Sequence, residues 1–276
     1  MKVYISADIE GICGVVALDH TSRDGKDYDS ARLLMTREVN EAVRGAFEGG
    51  ASQVLVNDSH GSMINLVLEE LDERVTLICG SPKPFSMLQG IEGCDAAFFI
   101  GYHSPAGTTD AVLDHTYHGG VVYDLQVNGK KMGEFAMNTA LAGYFGVPVI
   151  LVSGDKKTTE EAHSLLDPVE TVVSKEGIGR FAAQSSHPSK VREELRRKAK
   201  HALETAHRFS PYRINPPLQL HMDFLFTHMA DRVELLPIVK RVSARSVTYC
   251  CDDFSELYKM MRAMILLAST GIPSKR

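Results

Sequence analysis

The chain has 276 residues, of which 44% are hydrophobic and 24% charged, with 30 Lys and Arg against 35 Asp and Glu. That length can bury a full core, and the ordinary composition excludes a disordered or fibrous chain. A net charge of -5, with no Lys/Arg stripe, excludes the electrostatics of a nucleic-acid binder, which neutralises phosphates with basic residues. Small substrates are expected instead.

The opening apolar run reaches a carboxylate at Asp8, too early for a signal-peptide core or a membrane span, so a cytoplasmic protein without a membrane partner is expected. Val-, Ile- and Phe-rich runs at 2–7, 52–57, 96–101 and 148–153 predict buried strands of a largely parallel sheet. Between the first two, Leu33, Leu34, Val39, Ala42, Val43, Ala46 and Phe47 recur at helical spacing and predict a helix over 29–48, stopped by Gly49-Gly50. Residues 12–29 lack periodicity and suit a lid or a subunit contact, with Asp19 and His20 in solvent. The polar, glycine-rich segment 103–120 predicts an active-site loop. Residues 121–127 predict a strand turning at Asn128-Gly129 before a helix that begins near Glu134.

Beyond Asp155 the texture changes. A charged helix is expected over 187–207, a proline-broken stretch over 211–217, strands near 219–227 and 240–250, and a last helix from 254. The expected fold class is α/β, a mainly parallel doubly wound sheet with a smaller C-terminal α+β lobe. Its expected division is a metal-binding domain over 1–160 and a smaller lobe over 161–276, packed on the first and involved in assembly. The five cysteines, an odd number without a Cys-x-x-Cys pair, are expected to be reduced core thiols.

Three predicted strands each deliver metal-type side chains at their carboxyl ends: Asp8 and Glu10 after the first, His60 after the second, and His103 after the strand near 96. That rim is where open α/β sheets bind ligands. With Glu134 added, five side chains, one of them a bridging carboxylate, most simply Asp8, supply six bonds. Six bonds give three to each of two ions, the number a catalytic zinc takes while keeping one position open. Two such ions, roughly 3.5 to 4 Å apart, activate water for hydrolysis. Each motif alone also fits a solvated turn or a packed core histidine, and it is their coincidence at strand ends that favours the metal reading. His115, in the expected loop, is the candidate general base or acid, with His118 as its substitute. His163, His187, His201 and His207 are expected at the surface, and His221 and Asp223 on one polar strand face. Neither a Gly-x-Ser-x-Gly elbow nor a Gly-x-x-x-x-Gly-Lys loop occurs, which disfavours serine and nucleotide hydrolases.

At these residues the chain resembles the D-aminopeptidase family of dipeptide-operon metallopeptidases. The matching stretches are Ser6 to Gly11, Val56 to His60, Lys83 to Met87, Gly101-Tyr102-His103, Asp114-His115-Thr116, Gly133-Glu134 and Gly154-Asp155, close over about the first 160 residues. The resemblance implies an aminopeptidase with zinc, two ions per chain, on Asp8, Glu10, His60, His103 and Glu134, with His115 catalytic. It also implies short peptide substrates, with D residues preferred, and a homo-oligomer of two stacked pentameric rings. Two rivals remain: a dinuclear phosphoesterase, which needs cations that no neighbouring residue supplies in sequence, Lys83, Lys130 and Lys131 being nearest; and a metal-stabilised ring protein that binds peptides without cleaving them.

Overall fold

In the computed structural model, which describes residues 1–270, the first apolar run is strand β1 (Lys2–Ala7), followed by the short helix α1 (Leu18–Thr21) and the long helix α2 (Tyr28–Glu48). The chain continues through β2 (Gln53–Asp58), β3 (Val75–Ile78), β4 (Ala96–Tyr102), the hairpin β5 (Val122–Val127) and β6 (Lys130–Lys131), and helix α3 (Glu134–Tyr144). Then come β7 (Val149–Asp155), α4 (Lys156–Leu165), β8 (Glu170–Gly179), β9 (Ala182–Ser185) and α5 (Pro188–Glu204). The last stretch holds β10 (Leu218–Phe224), α6 (Thr227–Val233), β11 (Lys240–Arg241), β12 (Ser246–Cys251) and α7 (Phe254–Ser269).

The main sheet has the order β3-β2-β1-β4-β7-β8-β9. Its strands are parallel as far as β8, and β9 is antiparallel to β8. Alternation along β1 divides the core in two. Val3, Ile5 and Ala7 pack with Val39 and Val43 of α2 and with Leu195 and Ala199 of α5. Tyr4 turns to the opposite face, toward Phe99, Phe135, Met222 and Tyr258. On that second face α3 is buried at every position from Glu134 to Gly143, as expected of a helix that is apolar all round and enclosed by other elements. A second sheet, β11-β12-β10-β5-β6, completes this layer.

The two sheets cross the line at residue 160 in both directions. β5 and β6 leave the first part of the chain for the second sheet, while β8, β9 and α5 join the main sheet and its α2 face. Residues 271–276 of the lobe expected over 161–276 lie outside the described residues. Segment 12–29 is no open lid: Ile12, Cys13 and Val15 are buried, and buried Lys175 of β8 donates to the carbonyls of Glu10, Ile12 and Val15. All five cysteines are unpaired, but only Cys13 and Cys94 are core thiols. Cys79 and Cys250 are exposed, Cys250 because strand alternation turns it outward from β12. Among the described residues no helix is long and apolar enough to cross a membrane.

One backbone feature shapes the rim. The register of β4 against β7 slips between Phe99 and Tyr102, which returns Tyr102 to the side of Phe99, where the two rings stack at 4.7 Å. Gly101 makes the slip at φ +72°, and a Cβ there would stand 2.3 Å from the Asp8 carbonyl oxygen. Gly101→Ala is therefore expected to cost about 2 to 4 kcal/mol in urea unfolding followed by circular dichroism. A loss too small to separate from that of a surface substitution would mean that the rim relaxes around the methyl group.

Candidate metal centre

β1 is flanked by β2 on one side and β4 on the other, so the strand order reverses between β1 and β4. In open α/β sheets the crevice beyond the carboxyl ends at such a reversal binds ligands. Ala7 is in register with both Asp58 and Ile100, which brings Asp8 and Glu10, His60, and His103 to one edge. Glu134 arrives from the opposite layer as the first residue of α3, after Gly133.

The five residues converge. His60 Nδ1 lies 3.3 Å from Asp8 Oδ1 and 2.9 Å from Glu10 Oε2. His103 Nε2 lies 3.7 Å from Asp8 Oδ2 and 3.2 Å from Glu134 Oε1. His115 joins them: its ring stacks on that of His103 at 4.1 Å, and its Nε2 is 3.6 Å from Glu134 Oε1. Possible ligand atoms of Asp8, Glu10 and His103 lie within 4.8 Å of one another, as do those of His103, His115 and Glu134.

Each imidazole is oriented by a main-chain carbonyl. His60 Nε2 contacts Thr21 O, His103 Nδ1 contacts Ser104 O, and His115 Nδ1 contacts Leu113 O, each at 2.9 Å. A carbonyl only accepts, so these nitrogens carry the protons. The opposite nitrogen of each neutral ring is then a bare lone pair aimed at carboxylates, the arrangement a protein sets up for metal-ligating histidine. Among the described residues, buried Asp8 Oδ2, Glu10 Oε2 and His103 Nε2 have no hydrogen-bond partner. Acceptors facing acceptors, sealed from water, call for a cation between them, and carboxylate oxygen with imidazole nitrogen is a donor set that zinc accepts.

The ionisation of the bare site tells the same story. Burial pushes the Asp8 carboxyl up to about 8, with the charge of Glu10 adding to it. Burial works against ionisation of Glu10 as well, yet the positive charge that His60 can carry beside it holds it well below its ordinary value. Glu134 is likewise lowered, because His103 outweighs burial. Burial opposes protonation of His103, but Glu134 beside it raises the imidazole to about 10. Protons thus stand in for positive charge that the donor set demands. His115 differs: burial and the neighbouring His103 lower it, which keeps it in the base form.

The other stretches of the resemblance act as braces. Asp155 accepts from Val112 N and from Thr158 N, both at 2.9 Å, tying the loop over 103–120 to the end of β7. Asp114 accepts from Gly107 N and pairs with Arg180 at 2.6 Å. Met87 O receives Tyr4, Ser6 and Asn57, and Lys83 donates to Asn57 Oδ1 and Asp58 O. Asp58 itself faces its own loop, accepting from Asn65 and Leu66. Thr21, in the segment expected as a lid, supplies the carbonyl that orients His60. His118 accepts from Gly120 N, and His221 pairs with Asp223 at 3.1 Å.

A cavity of about 100 Å³ opens on the centre, lined by Asp8, Glu10, His60, His115 and Glu134 and also by Ser86, Met87, Tyr117 and Arg262. A larger one, about 390 Å³, meets it at His115 and is lined by Tyr123, Asp124, Lys131, Arg180 and Asp223. Tyr117 also fixes Glu134, its backbone N donating to Oε1 at 2.7 Å. Sequence reasoning missed Tyr117 and Arg262. Arg262 is not a sequence neighbour of any of the five residues: α7 brings it to the cavity from the far end of the chain.

Residues 1–263 match the family model for D-aminopeptidase. A D-aminopeptidase of Bacillus subtilis (strain 168) is 35% identical over 272 residues, covering 97% of this chain and 98% of that relative. Among solved structures, the Zn-dependent D-aminopeptidase DppA from Bacillus subtilis, a self-compartmentalizing protease, superposes with a TM-score of 0.95 at 34% identity, over 99% of this chain and 100% of that one. With the fold, the full length and the sequence all agreeing, the chain belongs to the D-aminopeptidase family.

Proposed function

We propose that this chain is a zinc-dependent aminopeptidase that hydrolyses short peptides or amino-acid amides from the free amino end, with D residues preferred. Asp8, Glu10, His60, His103 and Glu134 would hold two zinc ions. The observation that carries this reading is the set of carbonyl-oriented imidazoles presenting lone pairs to three buried carboxylates. Bound zinc supplies Lewis acidity toward a carbonyl and lowers the pKa of water. The chain's own contribution is position and proton transfer. His115 Nε2, left unprotonated by its lowered pKa, accepts a proton from water and returns it to the leaving amine.

The relative described as self-compartmentalizing supports a ring-shaped homo-oligomer, in our reading two stacked pentamers. Exposed Phe226, Leu235, Ile238 and Val242 are apolar side chains that an interface would cover. Five unpaired cysteines suit a reducing, cytoplasmic setting.

The test is metal content by plasma mass spectrometry together with amine release from matched L- and D-alanyl peptides, before and after chelation. Two zinc ions per chain and chelator-sensitive release, faster from the D peptide, are expected. Bound zinc without release from any peptide would favour the peptide-binding rival, and turnover of phosphate esters alone would favour the phosphoesterase.

A further inference from the structure

We infer that Arg262 recognises the terminal carboxylate of the substrate, so that the site favours dipeptides with a free acid end. The inference rests on the aminopeptidase reading and deepens it. Arg262 lines the same cavity as Asp8, Glu10, His60 and Glu134 and is the one Lys or Arg among the lining residues. It is half-buried, and among the described residues it forms no hydrogen bond or ion pair with any acidic group. Its guanidinium instead lies 5.2 Å from the Tyr117 ring centroid. That ring is fixed in turn: the Tyr117 hydroxyl donates to Asn138 at 3.2 Å, and Tyr258 meets it edge-on at 6.3 Å. A guanidinium held on an aromatic face keeps its N–H fork free for a planar anion.

The remaining charge in the cavity supplies the direction. With zinc bound, the charges of Asp8, Glu10 and Glu134 are offset by the ions, so Arg262 sets the polarity of the cavity: it attracts a carboxylate and repels an ammonium. A zwitterionic dipeptide therefore enters with its acid group toward Arg262 on α7 and its amine at the opposite end of the cavity. The small cavity, about 100 Å³, keeps the two ends close, and a longer or amidated peptide forfeits the contact.

The experiment compares alanyl-alanine of the preferred handedness with its C-terminal amide, using zinc-loaded enzyme. For the wild type, KM for the free acid is expected to lie about 10- to 100-fold below that for the amide, the range of a charged hydrogen bond. Arg262→Met should raise KM for the acid by the same factor, leave kcat near its original value, and change the amide less than about threefold, the signature of lost ground-state binding. Arg262→Lys should recover part of the loss. Zinc content and unfolding midpoint of each variant report whether the fold and the centre survive. Equal losses on acid and amide, or no loss on either, overturn the inference and leave the aminopeptidase reading standing. Failure of the wild type to cleave either compound sinks that reading, and this inference with it.

Discussion

His60→Ala and Glu134→Ala are each expected to strip zinc from the protein and to lower hydrolysis on the order of 10³-fold or more in the same step. His60 faces both Asp8 and Glu10, and Glu134 faces both His103 and His115, so each removal takes one donor and leaves others buried without a counter-charge. Loss of metal should accompany loss of turnover through every zinc concentration tried. A variant that keeps two tightly bound ions would remove the mutated residue from the donor set, whatever its activity. One that loses activity but regains it at high zinc would show a weakened donor set, not a chemical role.

His115→Gln should behave in the opposite way, keeping both ions and losing about 10²- to 10⁴-fold in kcat, the share of a positioned proton-transfer group. The geometry makes this a sharp test, because His115 Nε2 lies close enough to Glu134 and His103 to be counted with them as a ligand group. A zinc content that falls from two to one would make His115 a metal ligand. Wild-type kcat would remove it from the reaction. Its Nδ1 contact to Leu113 O fixes the tautomer; the glutamine amide stands where Nε2 was and gives up that contact, so the unfolding midpoint of the variant is measured alongside to show that the loop over 103–120 holds its shape.

Much of this centre was legible because a parallel sheet sends every strand's carboxyl end to one rim. Asp8, Glu10, His60 and His103 follow apolar runs that are recognisable in isolation, so their convergence required only the sheet. Glu134 depended on a helix start that Asn128-Gly129 and the apolar run after it signalled. Arg262 and Tyr117 were not legible. Arg262 reaches the cavity because α7 packs across α3, a tertiary fact with no local pattern behind it, and Tyr117 sits at φ +56° in a loop whose path is set by Asp114 and Asp155. Sheet membership does not follow the change in sequence texture near residue 160 for a related reason. β8 pairs with β7 through backbone hydrogen bonds, and its charged, glycine-bearing sequence lacks the apolar run by which the other buried strands are recognised.

The donors stand at positions 8, 10, 60, 103 and 134, and no two strands of the sheet carry all of them. A nascent chain therefore has no complete centre until α3 has emerged and docked, after the slow, non-local pairing of β1 with both β2 and β4. Zinc held as proposed would then be captured late in folding, locking a finished sheet that it could not template. Once made, the same lock ties the two layers together, since Glu134 belongs to one and the strand-end residues to the other. Opening of α3 away from the sheet would be linked to release of bound zinc, and the amides of α3 are expected to be among the slowest to exchange in the zinc-loaded protein.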